Sequence, residues 1–403
     1  MKVVPLPSEG LRVGRPLPFS VRDSSGAVLL ARGSAIQTAK QLEVLQSRTI
    51  FIDAAEMESV QRAYNGQLDQ MLRQDVALGR IASARPDYES LPLPLQGVAL
   101  RTPERPLDWP NLQMRLRLLL VDPHGADWIA RLRTLRDDVL ALVERSHDRA
   151  LLRLMYDANN DFQDYSANHS LFVCVLASMA CTQLAGWQHE WVDALTLAAL
   201  TMNVTFTQTQ DDLARQAGPL SESQRGTLRD HPQRAADLLA EIGVDDPMWL
   251  HAVRHHHSAP SGPIAGRSPE ETLARLIRRA DRYAARLSPR KNRPASSATA
   301  AAQVALLDEG GHTDEAGQAL IRTLGVYPPG VWVKLQCGEI AMVLRRTPIA
   351  KAPIVVSLVS RSAMPLAVPA LRNTKLPDFA VTGAVPPGQV KVRPNLDALE
   401  KMA

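Results

Sequence analysis

Cysteine is scarce in this chain. Its three residues, Cys174, Cys181 and Cys337, are too few and too scattered for a disulfide framework or a zinc ribbon. Cys174 and Cys181 fall in an apolar helical run and read as small buried hydrophobes. No apolar run reaches the ~18 residues that a membrane-crossing helix needs. The opening segment MKVVPLPSEG lacks the charged-then-apolar pattern of a secretion signal. Net charge is also small: +4 over 403 residues gives no broad footprint for nucleic acid or a membrane surface. A reducing, cytoplasmic setting is therefore expected, with no nucleic acid among the partners.

What is present is ordinary for a globular protein. An apolar content of 45% beside 22% charged residues supports at least one sizeable core, and the length allows two or three domains. Residues 1–53 read as a small β-rich unit. Val21-Arg22-Asp23-Ser24-Ser25-Gly26-Ala27-Val28-Leu29-Leu30 has the form strand, turn, strand. A short helix is expected from Thr38, with Leu42 and Leu45 on one face, and Ile50-Phe51-Ile52 closes the unit as a strand. Residues 54–80 read as helix. Pro86, Pro92, Pro94, Pro103, Pro106 and Pro110 then make 81–110 a partly extended linker.

From 111 to 324 the periodicity is helical. Leu132, Leu135, Val139, Leu142 and Val143 recur at spacings of three and four, as do Leu171, Cys174, Ala177 and Cys181. No strand-like alternation interrupts them. Residues 325–403 change texture to turns and short strands over Val331–Leu344 and Ile354–Val359, with 370–403 expected to be loosely ordered. The fold class is thus mainly α: an all-helical domain flanked by a small β-rich N-terminal unit and a small β-rich C-terminal tail.

The chemistry-bearing residues gather in the helical part. On a helix through 270–287, Ala274, Ile277, Asp281, Ala284 and Ala285 share an apolar face. A carboxylate turned inward there needs a partner or a metal, because an unpaired buried charge costs several kcal/mol. The opposite stripe, Arg275, Arg279, Arg282 and Arg286, reads first as a solvated face, with anion binding as the alternative. His169 begins an inward stripe with Val173, Leu176, Ala180 and Leu184. His231 precedes Pro232, where a helix start is expected. The run His255-His256-His257 fits either a polar loop or a ligand cluster. Together, these inward-pointing ligand types favour a metal or phosphate site.

At this point a family resemblance becomes visible. His169-Ser170, Ala198-Ala199-Leu200, Leu220-Ser221 before His231-Pro232, His256-His257, Ala280-Asp281-Arg282-Tyr283 and Gly325-Val326-Tyr327-Pro328-Pro329-Gly330 follow the order and spacing of the HD-GYP domain. The resemblance spans about residues 150–345. It implies an all-α member of the HD phosphohydrolases, whose active members are cyclic di-GMP phosphodiesterases with a centre of two or three metals. It also implies that His169 and Asp281 match ligands of one metal, and that His231, His256 and His257 match ligands of another. Arg290, Lys291 and Arg293 fall where such proteins place basic residues near the substrate phosphates.

Several departures from the pattern are chemical. The histidine-aspartate dyad that names the family falls on Met202-Asn203, and its trailing glycine-lysine on Thr205-Phe206. The glutamate after the paired histidines is Ser258, and the glycine-tyrosine-proline loop is shortened to Ser258-Ala259-Pro260-Ser261-Gly262-Pro263, without tyrosine. Two dications ~4 Å apart repel by roughly 17 kcal/mol at an effective dielectric of 20, and the family's bridging aspartate offsets part of that. Asn203 brings no charge, and Met202 is a soft thioether poorly matched to iron, manganese or zinc. The dyad is therefore read as degenerate.

Two functional readings follow. The first is a degenerate HD-GYP-type signalling protein without phosphodiesterase activity, which binds a cyclic dinucleotide or a protein partner. Cyclic di-GMP and diguanylate-cyclase-type signalling proteins are the partners that the resemblance implies. The alternative is a metal-dependent cyclic di-GMP phosphodiesterase or phosphohydrolase using a residual three-histidine site that holds one divalent ion (Zn, Mn or Fe).

Overall fold

The computed structural model describes residues 3–23, 28–54, 56–57, 60–61, 71, 107–125, 127–160 and 164–403. The expected turn at 24–27, most of the helix expected over 54–80 and the linker up to residue 106 lie outside the described residues. The chain divides into two compact units, Met1–Trp128 and Ile129–Ala403.

In the first unit, strands β1 (Val3–Leu6), β2 (Val21–Arg22), β3 (Val28–Leu30) and β4 (Ile50–Asp53) form an antiparallel sheet in the order β1-β4-β2-β3. Helix α1 (Ala39–Gln46) starts where the sequence indicates, with the Thr38 side chain accepting from the Gln41 amide. Phe19, Val21, Ile36, Leu45, Ile50 and Ile52 fill the core. Helix α2 (Trp109–Val121) belongs to this unit as well, and its Met114 and Leu118 pack on Val44. Pro110 thus opens a helix, in the first turn where a missing N–H leaves no bond unmade. The helical run expected from residue 111 is accordingly split, its first helix lying with the sheet and the rest in the second unit.

The second unit is built on helices α3 (Trp128–Arg145), α4 (His147–Asn160), α5 (Tyr165–Cys181), α6 (Trp191–Thr201), α7 (Thr207–Arg215), α8 (Glu222–Glu241), α9 (Pro247–His255), α10 (Pro269–Leu287), α11 (Ala298–Leu306) and α12 (Glu315–Leu324). Nearly every residue of α5 is buried, including Leu171, Phe172, Val173, Cys174 and Leu176. A helix apolar on all sides has to sit at the centre, and α5 contacts α4, α6, α10 and α12. Burial pushes the Cys174 and Cys181 thiols up to about 12, consistent with their reading as packing residues.

After α12 the chain turns at Gly325, whose φ of 73° is left-handed. Strands β5 (Trp332–Leu335), β6 (Ile340–Arg345), β7 (Ile354–Val359), β8 (Pro365–Asn373) and β9 (Val381–Val385) make an antiparallel sheet in the order β8-β7-β6-β5-β9. Helix α13 (Leu396–Met402) follows. Residues 370–403 are therefore structured, contrary to expectation. Leu399 of α13 joins Leu152, Trp332, Met342, Leu344, Val356 and Leu358 in one buried cluster, and that burial holds the segment down. Gly330 adopts φ 89°, and a Cβ placed there would lie 2.8 Å from Met155 Cβ and 2.9 Å from the Leu152 carbonyl. Only glycine permits that approach to α4. The fold is mainly α, a helical body with small antiparallel sheets before and after it in the chain. Among the described residues, no helix is long and apolar enough to cross a membrane.

Candidate metal and phosphate site

The ligand-type residues His169, His231, His256, His257 and Asp281 form one connected group, running from α8 through the end of α9 to α10 and α5. His169 sits in the first turns of α5 and Asp281 well inside α10, and both face inward. His169 Nε2 lies 2.7 Å from Asp281 Oδ1. Burial alone would push the Asp281 carboxyl up. The hydrogen bond and charge of His169, with the charges of His257 and His256, outweigh burial and hold it well below the usual carboxylate range. Tyr165 stacks on His169, with ring centroids 5.7 Å apart and planes 8° apart.

His231 is not at a helix start. It lies mid-way along α8, which begins at Ser221 with a reciprocal cap between Ser221 and Gln224 and carries Pro232 inside it. The Pro232 signal misleads because a helix tolerates an internal proline where packing offsets the lost bond, and here His231, Pro232, Ala235, Ala236 and Leu239 are buried. His231 Nδ1 lies 2.7 Å from the Leu228 carbonyl, and His256 Nδ1 lies 2.6 Å from the Val253 carbonyl. A carbonyl can only accept, so each Nδ1 carries the proton and donates. The two Nε2 atoms then face each other across 3.3 Å as bare lone pairs.

His257 completes the group. Its ring centroid is 4.1 Å from that of His256 and 5.1 Å from that of His231. Its Nδ1 is 3.9 Å from Asp281 Oδ2, and its side chain is 43% exposed, so the cluster opens to solvent on this side. Ligand atoms of His231, His256 and His257 all lie within 4.8 Å of one another. His255, the first of the run, is not among them; its ring packs on His251 and its Nδ1 lies 3.2 Å from Ser258 Oγ. Burial, then the neighbouring His257, lowers the His231 pKa to about 4. Burial and both neighbours drive His256 well below its ordinary value, and burial lowers His257 against the pull of Asp281. His231 and His256, with Nδ1 anchored on a carbonyl and Nε2 free, are in the form in which a neutral histidine binds a borderline dication, and His257 lies beside them without such an anchor. The donor set fits one such ion.

Met202 and Asn203, the pair that the resemblance matches to the dyad, immediately follow α6. Both are buried, and they supply a thioether and an amide. The adjoining Thr201 hydroxyl accepts from Trp249 Nε1 at 2.8 Å and donates to the Leu197 carbonyl at 2.7 Å, tying the end of α6 to α9. Phe206 stacks on His231 with centroids 4.8 Å apart at 21°. Where the resemblance expects a lysine, an aromatic face covers one side of the imidazole.

The arginine stripe of α10 is buried in its first half and open only toward its end, where Arg286 is exposed. Arg275 and Arg279 are fully buried and converge on Asp314, which caps α12. Arg275 donates at 3.0 and 2.7 Å and Arg279 at 2.8 Å to Asp314 Oδ2, while Oδ1 accepts from the Gly317 amide at 2.6 Å. Glu309 meets Arg278, Arg279 and Arg282. Periodicity alone could not reveal that segment 308–314 supplies carboxylates to this side.

Beside the histidines is a cavity of about 250 Å³ lined by His257, Asp281, Arg282, Ala285, Arg286, Arg293 and Val304. Of the three basic residues expected at phosphates, Arg293 reaches it. Arg290 instead lies over Tyr165, 5.3 Å from the ring centroid, with a hydrogen bond to its hydroxyl. Lys291 is exposed, and its amide donates to the Ala214 carbonyl. Arg282 and Arg286 of the α10 stripe also line the cavity, although that stripe reads first as solvated. They lie one and five residues beyond Asp281, a spacing that places them on the rim of its face.

No family model matches the chain. Over 220 residues it is 29% identical to the cyclic di-GMP phosphodiesterase PA4108 of Pseudomonas aeruginosa, an alignment covering 52% of this chain and 51% of that protein. The chain thus spans about half the length of this curated relative. Among solved structures, Bd1817, an HDG"Y"P protein from Bdellovibrio bacteriovorus, superposes with a TM-score of 0.44 at 18% identity, covering 80% of this chain and 99% of that one.

Proposed function

We propose that this is a degenerate HD-GYP-type signalling protein that binds a phosphodiester ligand without hydrolysing it. The observation that carries this reading is Asn203. At the position of the family's bridging carboxylate it offers an uncharged amide, and nothing else supplied by Met202 or Phe206 replaces the lost charge. The remaining ligands of that half-site, His169 and Asp281, are hydrogen-bonded to each other.

The residues that would hold a divalent ion are His231, His256 and His257, and an ion there would supply Lewis acidity to a bound phosphoester. Around it, Arg282, Arg286 and Arg293 gather positive charge beside the cavity. Burial and neighbouring arginines lower the pKa of both Arg282 and Arg293, which marks a crowd of cations that an anion relieves. A volume near 250 Å³ accommodates one phosphate with part of its sugar, so a cyclic dinucleotide would seat one phosphodiester there and leave the rest on the open side. Cyclic di-GMP is the ligand this reading favours, with a diguanylate-cyclase-type protein as a partner and the cytoplasm as its setting.

The second reading, a one-metal phosphohydrolase, draws on the three neutral imidazoles. One experiment separates the two. Purified protein is assayed for metal content, for cyclic di-GMP binding by calorimetry, and for turnover of cyclic di-GMP and a chromogenic phosphodiester. The first reading expects at most one ion per chain, binding weakened by Arg286→Ala, and no turnover above the blank. Turnover that disappears with His256→Ala would establish the second reading instead.

A further inference from the structure

The interior proline of α8 stands beside a buried ligand-type histidine, and the two facts are connected. In an α-helix the carbonyl of residue 228 is the acceptor for the amide of residue 232. That residue is Pro232, which has no N–H to give. The same Leu228 carbonyl receives His231 Nδ1 at 2.7 Å. We infer that Pro232 is a positioning residue for the three-histidine cluster: by withholding an amide it reserves the Leu228 carbonyl for His231, which fixes the Nδ1–H tautomer and aims the Nε2 lone pair at His256.

His256 reaches the same state by another route. Its Nδ1 takes the carbonyl of Val253 at 2.6 Å, again three residues back. Val253 lies in the last turn of α9, where helix carbonyls run out of amide donors. One histidine is served by a helix end and the other by a proline inside a helix. In mid-helix a side chain that bonds a carbonyl ordinarily shares it with the amide four residues on; at Leu228 that amide is missing and the imidazole has the oxygen without this competitor. Thr205 Oγ1 bonds the His231 carbonyl at 3.3 Å and Phe206 stacks on its ring, so the imidazole is bounded on other sides too. Its tautomer is set by the Leu228 carbonyl, which can only accept, whereas the other ring nitrogen meets His256 Nε2, which can take either role.

The inference deepens the metal-site reading above and rests on it only for the zinc measurement. The test uses full-length protein with ¹⁵N-labelled histidine, wild type and Pro232→Ala, with His231→Gln to assign the signal. Nitrogen shifts of His231 in metal-free protein report the tautomer, and zinc affinity is read by competition with a chromogenic chelator. Alanine is a better helix residue than proline, so the variant is expected to melt no lower than wild type. The substitution restores a backbone amide at this position, which competes for the Leu228 carbonyl. His231 is then expected to pass from one tautomer to a mixture. Zinc affinity is expected to fall about tenfold, the lower end of what losing an outer hydrogen bond to a metal-ligating histidine costs. If wild type binds no zinc, the metal reading fails and the tautomer alone decides this inference. A single Nδ1–H tautomer retained in Pro232→Ala overturns it, whatever the zinc affinity.

Discussion

Asp314 holds the helix that carries Asp281, and removing it gives the sharpest stability test. Its Oδ2 takes three hydrogen bonds from Arg275 and Arg279, and its Oδ1 caps α12 at Gly317. The side chains of both arginines are 1% exposed or less, and that of Asp314 is 2% exposed. Asp314→Ala leaves two buried guanidinium groups short of a partner, a change that ordinarily costs about 3–5 kcal/mol, and it removes a cap worth about 1 kcal/mol. These do not add fully, because Glu309 still pairs with Arg279 and the Pro260 carbonyl still accepts from Arg275. The expected loss is therefore about 3 kcal/mol, which for a unit of this size lowers the melting point by roughly 6–12 °C. Asp314→Asn keeps an oxygen for the cap and separates the charge from the capping contribution. Urea unfolding followed by helical circular dichroism measures both variants. A loss in Asp314→Ala of only about 1 kcal/mol, the cap alone, would refute the view that the arginines depend on this carboxylate.

Two further outcomes follow from neighbouring features. Burial pushes the Glu309 carboxyl up, but hydrogen bonds and charge from Arg279 and Arg278 outweigh it and bring the pKa down to about 2. Because the folded pKa is depressed, the stabilisation is complete above the ordinary value of 4.5 and is lost as pH falls toward 2. The unfolding midpoint of Glu309→Gln is expected to change less between about pH 6 and pH 3 than that of wild type, and equal changes would count against the assignment. At Gly330, alanine must adopt φ 89° and meets Met155 Cβ at 2.8 Å. A cost of about 1–3 kcal/mol is expected, checked by the shift in urea midpoint, and a neutral effect would show that α4 yields there.

Much of the site is legible in the sequence because ligand-type residues are rare on apolar faces. His169 and Asp281 stand out by burial pattern, and the structure places them 2.7 Å apart. The histidines 231, 256 and 257 stand out only as a set whose order matches a family. Where the reading fails, the cause is a long-range partner. Pro232 looks like a helix start because local rules see the missing amide but not the imidazole that uses the freed carbonyl. Arg275 and Arg279 look solvated because their carboxylates come from a segment more than thirty residues away. The same pattern groups Arg282 and Arg286 with them, although both border the cavity.

The flanking strands are legible only in part. Val28–Leu30 and Ile50–Asp53 are apolar enough to read as strands, with Thr38 marking the helix between them. Strand β8 carries two prolines and faces solvent along much of its length. It is an edge strand, which tolerates proline because half its amides have no neighbour to bond. Without knowledge of strand order, the same residues read as an irregular tail.

The seating of Leu399 against Leu152 and Trp332 bears on how this chain can be divided. Helix α4 gives one side to the histidine-bearing bundle and the other to the sheet, so the two share a wall. Truncation after Leu324 would not release a smaller working bundle. It would strip the cover from Leu152 and Met155, and the shortened protein would begin its life with an open seam.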